Sequence, residues 1–100
     1  MVRMWPIDIG GRTALGIEVQ LPRTHLAIVT TDAGYIMCGA LDVALLSGRL
    51  RQREIVAARA VGVQTVEQLL AAPMESVTPA AAARGVQVGM SGSEAIGRMF

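Results

Sequence analysis

The sequence predicts an α+β fold, a two-layer sandwich whose mixed, mainly antiparallel sheet carries helices packed on one face. Up to residue 40, apolar and polar residues alternate between turn signals, which is the period of strands. Beyond residue 63, short apolar stretches follow capping residues, as short helices do. One hundred residues suffice for one core and leave no room for a second, so residues 1–100 are read as a single domain.

The first strand is "MWPIDI", confined to a sheet edge by Pro6, which has no N–H to offer a second neighbour. Gly10 and Gly11 mark the hairpin turn that follows. In "ALGIEVQL", Leu15, Ile17, Val19 and Leu21 share one face while Gly16, Glu18 and Gln20 share the other, the alternation of a half-buried strand. "LPRT" then turns the chain into "HLAIVTT". Asp32, Ala33 and Gly34 fit a three-residue loop with Gly34 at positive φ, which pairs Tyr35 with Thr31 and sets Cys38 opposite Ile28. The fourth strand, "YIMCGA", has apolar neighbours on both faces and is expected at the centre of the sheet, covered on each side.

Asp42 is a suitable N-cap for a helix from Val43 to about Arg51, along which Val43, Leu46 and Leu50 form an apolar stripe. Gly48 weakens that helix by about 1 kcal/mol, so it depends on tertiary packing. "EIVAARAVGV" holds branched residues and Gly62, which favour a fifth strand over a continued helix. Thr65 with Gln68 forms a capping box that opens "VEQLLA", closed by Pro73. Thr78 followed by Pro79 opens a second short helix, which Gly85 ends at the position after the cap. Ser91 with Glu94 forms another box, opening "GSEAIGRM".

Composition bounds the partners. With 52% hydrophobic and 17% charged residues, a monomer can hardly avoid exposing apolar patches, so a homo-oligomer is expected, with a second subunit covering the sheet face that the helices leave open. Charges or Pro interrupt every apolar run well before the roughly 20 residues of a spanning helix. Pro6 and Asp8 likewise break any signal-peptide core, and a cytoplasmic location is the expectation. The net charge of +1 offers no field for nucleic acid or anionic lipid. Arg49, Arg51 and Arg53 scatter around a helix end, where they offset its dipole. One Cys and one His make neither an internal disulfide nor a zinc site, and no cofactor is implied.

Taken in order and at their spacing, "GYIMCGALDV", "ARAVGV", "TVEQLLAAP", "ESVTPAAAARGV" and "VGMSGSEAIGRM" resemble the YunC-like family of small bacterial and archaeal proteins. The resemblance covers nearly the whole chain. It implies a two-layer α/β fold and no activity, because the family has no established catalytic residues to carry over.

Candidate site residues gather where the fourth strand enters the first helix. Cys38 at a helix N-terminus, with Gly39 and Ala40 amides as oxyanion donors and Asp42 nearby, is the arrangement a thiol-dependent enzyme would need. The base would be His25, which the expected register puts on the opposite face; the plainer reading is a small buried apolar residue. Arg59, set among apolar residues, needs either a carboxylate such as Asp42 or Glu54, or a small anionic ligand shared with Gly39 and Ala40. His25 alone reads as an exposed strand end. The C-terminal half has the cadence of helix-hairpin-helix units, but Arg84 and Arg98 against Glu67, Glu75 and Glu94 cannot neutralise several phosphates. Met37, Met74, Met90 and Met99 fall in separate elements and read as core filler, whereas Trp5 and Tyr35 suit either core or a subunit interface.

Overall fold

The computed structural model describes residues 1–39 and 53–100. The helix expected between Val43 and Arg51, its cap Asp42, and Ala40 lie outside the described residues. Among the described residues, six strands form one sheet in chain order: β1 (Val2–Ile9), β2 (Arg12–Leu21), β3 (Thr24–Thr30), β4 (Gly34–Met37), β5 (Val56–Arg59) and β6 (Ser76–Val77). Only β4 and β5 run parallel, so the sheet is mixed and mainly antiparallel as expected. Three helices follow: α1 (Val66–Ala71), α2 (Pro79–Ala83) and α3 (Gly92–Gly97).

Two rows of paired residues cross the whole sheet and show what each face is made of. Trp5, Gly16, Val29, Ile36, Ala58 and Val77 form one row, on the side where the helices pack. Leu69, Met74, Ile96 and Met99 close the core over it, all fully buried. The next row, Met4, Ile17, Ile28, Met37, Arg59 and Ser76, belongs to the other face.

The covered face of β2 is therefore Ala14, Gly16 and Glu18, and the apolar set Leu15, Ile17, Val19 and Leu21 points away from the helices. Alternation alone cannot distinguish these outcomes when both faces contain residues a core accepts. Gly16 explains the choice: a Cβ there would stand 2.6 Å from the Ile7 side chain, so its absence lets Ile7 and Trp5 lie across β2 into the helix layer. Glu18 serves the same layer, accepting the Val66 N–H at the start of α1 (2.8 Å).

The β3–β4 hairpin differs from expectation by one residue. Thr31 N–H donates to the Gly34 carbonyl (2.8 Å), which closes a two-residue loop of Asp32 and Ala33. Tyr35 thus pairs with Thr30 instead of Thr31. Gly34 is absent from the residues with positive φ and lies in the strand. Its smallness is needed for a close approach, because a Cβ would meet the Val56 carbonyl oxygen at 2.7 Å. The Thr31 hydroxyl completes the loop by accepting from Ala33 and Gly34 N–H and donating to the Met99 carbonyl (2.7 Å), which ties the hairpin to the C-terminal turn.

Of the expected N-caps, the three within the described residues form. The Thr65, Thr78 and Ser91 hydroxyls accept the N–H of Gln68, Ala81 and Glu94. After α2, Val86 N–H returns to Ala81 and Gly85 N–H to Ala82, with Gly85 at φ 88°, which is a Schellman ending. β6 is the element the sequence reading missed, since two residues are too few to show a period.

Candidate functional site

The end of β4 and the end of β5 lie side by side, with Met37 paired to Arg59 and Ala60 N–H donating to the Met37 carbonyl (3.0 Å). Gly39 faces Val61, whose Cγ1 would be 3.5 Å from a Cβ at Gly39. The fold thus brings Cys38, Gly39 and Arg59 into one neighbourhood, as the sequence reading expected, while Ala40 and Asp42 are outside the described residues. Strand alternation then separates them.

Cys38 continues the β3–β4 ladder, its N–H donating to the Ala27 carbonyl (3.1 Å). That pairing sets Cys38 opposite Ala27 instead of Ile28, on the helix-covered face with Val29 and Ile36. His25 shares that face, so the expected separation of the two by the sheet is overturned by the shorter hairpin loop. Their surroundings nevertheless differ. Cys38 is 4% exposed, whereas His25 is exposed beside a cleft of about 270 Å³ lined by Arg3, Glu18, Gln64 and Thr65 among others, and not by Cys38. A thiol enclosed this way reacts when the fold opens. We therefore expect Cys38 to react with a thiol reagent only as fast as the protein unfolds; stopped-flow labelling of native and denatured protein checks this, and fast native labelling would restore the nucleophile.

Arg59 lies on the opposite face and is half-buried. Its Nε donates to Glu75 Oε2 at 2.6 Å, and the Ser76 hydroxyl donates to the same oxygen at 2.7 Å. The Arg59 hydrogen bond, then the Ser76 hydroxyl, hold the Glu75 carboxyl below its ordinary value of 4.5, against a small opposing effect of burial. Glu75 is a partner that the sequence reading did not name for Arg59. It stands immediately before the two-residue strand β6, in sequence 16 residues from Arg59, where no local pattern links the two. Among the described residues, no group of three or more His, Cys, Asp or Glu side chains is placed to hold a metal ion.

Trp5 and Tyr35 fall on opposite faces. Trp5 packs against the core from the helix side with the Arg3 guanidinium 5.1 Å from its ring centroid, while Tyr35 is half-buried on the outer face. On the outer face, Val2, Met4, Leu15 and Leu21 are 62%, 64%, 37% and 47% exposed. That face is the chemically distinctive surface of the described residues.

Comparison with known proteins follows the same outline. The family model described as a domain of unknown function, DUF1805, matches residues 37–99. The uncharacterized protein YunC of Bacillus subtilis is 57% identical over 100 residues, covering 100% of this chain and 99% of that protein. A crystal structure of a protein of unknown function from Thermoplasma acidophilum superposes with a TM-score of 0.89 at 24% identity, covering 100% of this chain and 94% of that one. At that identity the likeness is one of fold.

Proposed function

From the premise that this chain belongs to the DUF1805 family, YunC-like domains of unknown function, we propose that it works as a homo-oligomeric domain whose activity rests on assembly and not on thiol chemistry. The observation that carries this reading is the outer face of the sheet. On β1–β4 its side chains are mostly apolar and partly exposed, while the three described helices pack on the other face. Large exposed apolar patches on small domains mark interaction surfaces.

Two features support assembly over the alternatives. Cys38 is buried, which suits a packing role better than a nucleophile that substrate must reach. Arg59 is engaged by Glu75, which suits a structural ion pair better than capture of a small anion with Gly39. Among the described residues no helix is long and apolar enough to cross a membrane, and the proposed partner is the chain itself. The test is the size of the native particle. An oligomer sediments at a multiple of the 10.5 kDa chain mass, and a particle of one chain mass at all concentrations refutes the reading.

A further inference from the structure

We infer that the cleft between the β2–β3 hairpin and the start of α1 is a binding site for a small α-amino acid, with Arg3 taking its carboxylate and Glu18 its ammonium group. This goes beyond assembly and does not rest on it. The polar lining consists of Arg3, Glu18, Gln20, His25, Gln64 and Thr65.

The strand register gathers the first four of these. Arg3 pairs with Glu18 and Gln20 with His25, and alternation puts all four side chains on the face that carries Trp5, Gly16 and Val29, where the helices pack. Along that face of β2 the residues run Ala14, Gly16, Glu18, Gln20, small over the core and polar at the strand's end. Gln64 and Thr65, entering α1, form the opposite wall. Solvated polar residues need no explanation singly, but here they converge on a concavity.

Glu18 is fixed first, because its Oε2 accepts the Val66 N–H at 2.8 Å and its side chain is only 21% exposed. Its Oε1 stands 3.6 Å from Arg3 Nη1, an ion pair too long for a hydrogen bond. The Arg3 guanidinium also lies over the Trp5 ring, 5.1 Å from its centroid. Arg3 is thus oriented from two sides, while its N–H fork makes no hydrogen bond among the described residues. A planar fork with unspent donors suits a carboxylate. Glu18 selects among carboxylates, since it repels a simple anion and attracts an ammonium group. Opposite charges side by side in the cleft call for opposite charges on neighbouring atoms of the ligand. The Met1 amine, which also borders the cleft, donates to the Gln20 carbonyl (3.0 Å).

The remaining lining speaks to the rest of the ligand. The side chains of Gln20, His25 and Gln64 make no hydrogen bond among the described residues, and each can both donate and accept, which suits a polar side chain. The cleft measures about 270 Å³. Pockets for drug-sized molecules run from roughly 300 to 1,000 Å³, so this one takes something smaller, the size of a single amino acid.

The experiment titrates the full, isotope-labelled chain with glycine, L-serine and L-glutamine, beside acetate and inorganic phosphate, and follows the backbone amide resonances. The expected result is saturable shifts at Gln20, His25, Thr65 and Val66 with the amino acids, at affinities roughly tenfold or more above those of acetate and phosphate. Glu18→Gln keeps an oxygen for the Val66 N–H and removes the charge, so the amino acids are expected to bind roughly tenfold more weakly and acetate more tightly. Should that variant fail to fold, the comparison of amino acids with acetate in the wild type decides alone. Acetate or phosphate binding as tightly as the amino acids, a Glu18→Gln variant that weakens both alike, or no saturable shift with any amino acid overturns the site. None of these readouts depends on particle mass, so the assembly reading stands or falls separately.

Discussion

Gly92→Ala is expected to destabilise the protein by about 3 kcal/mol, although the same change in an exposed helix normally stabilises by about 1 kcal/mol. The sign reverses because α3 begins against the backbone of α1. A Cβ at Gly92 would overlap the Leu69 carbonyl oxygen and stand 2.9 Å from Leu70 Cα, and both are backbone atoms that cannot rotate away. Gly92 N–H also donates to the Ala72 carbonyl (3.0 Å), and Pro73 bridges to Ser91 beside it. Moving α3 outward to admit a methyl group breaks these links and opens the layer that holds Leu69, Ala95 and Ile96. Urea denaturation measures the loss as a lower midpoint at unchanged slope. A variant as stable as the wild type would mean that the two helices do not meet this closely.

Thr78→Val is expected to cost a similar amount, roughly 3–4 kcal/mol, with no change in side-chain size to blame. Thr78 is 1% exposed, the one buried polar residue among those described. Its hydroxyl donates to the Ile55 carbonyl (2.6 Å) and accepts from Ala57 N–H (3.1 Å) and Ala81 N–H (3.2 Å). One oxygen thereby satisfies β5 and caps α2 in the same place. Valine keeps the shape and strands three backbone groups away from water, each worth about 1–3 kcal/mol. Thr78→Ser, which keeps the oxygen, is expected to recover most of the stability in the same denaturation measurement; a serine variant as weak as valine would locate the effect in the methyl group instead.

These two residues also show what the sequence made legible. Caps are local chemistry, so Thr65, Thr78 with Pro79, Ser91 and Gly85 could each be found from a few neighbouring letters, and each ends or begins a helix as expected. The second duties of Thr78 and Gly92 are contacts between distant parts of the chain, with Ala57 and Leu69, and no local pattern encodes them. Glu18 is similar, since it reaches 48 residues along the chain to hold Val66 N–H.

The hairpins that join the first four strands were equally accessible, but the register of the last was not. The sequence "TTDAGYIM" accommodates a two- or a three-residue loop, and that single residue decides which face Cys38 takes. Cys38 and Arg59 sit on neighbouring strands, as the sequence suggested, but they belong to opposite faces, while Cys38 and His25 share one. Glu75 as a partner of Arg59 was out of reach because β6 is only two residues long. The composition, 52% hydrophobic and 17% charged, pointed to exposed apolar surface, and among the described residues of β1–β4 that surface is found at Val2, Met4, Leu15 and Leu21.

That surface is the basis of the central claim, and sedimentation equilibrium of the wild type beside Met4→Glu/Leu15→Glu tests it most directly. The account predicts a multiple of the 10.5 kDa chain mass for the wild type at micromolar concentration and one chain mass for the folded variant. Equal masses for the two proteins would contradict it.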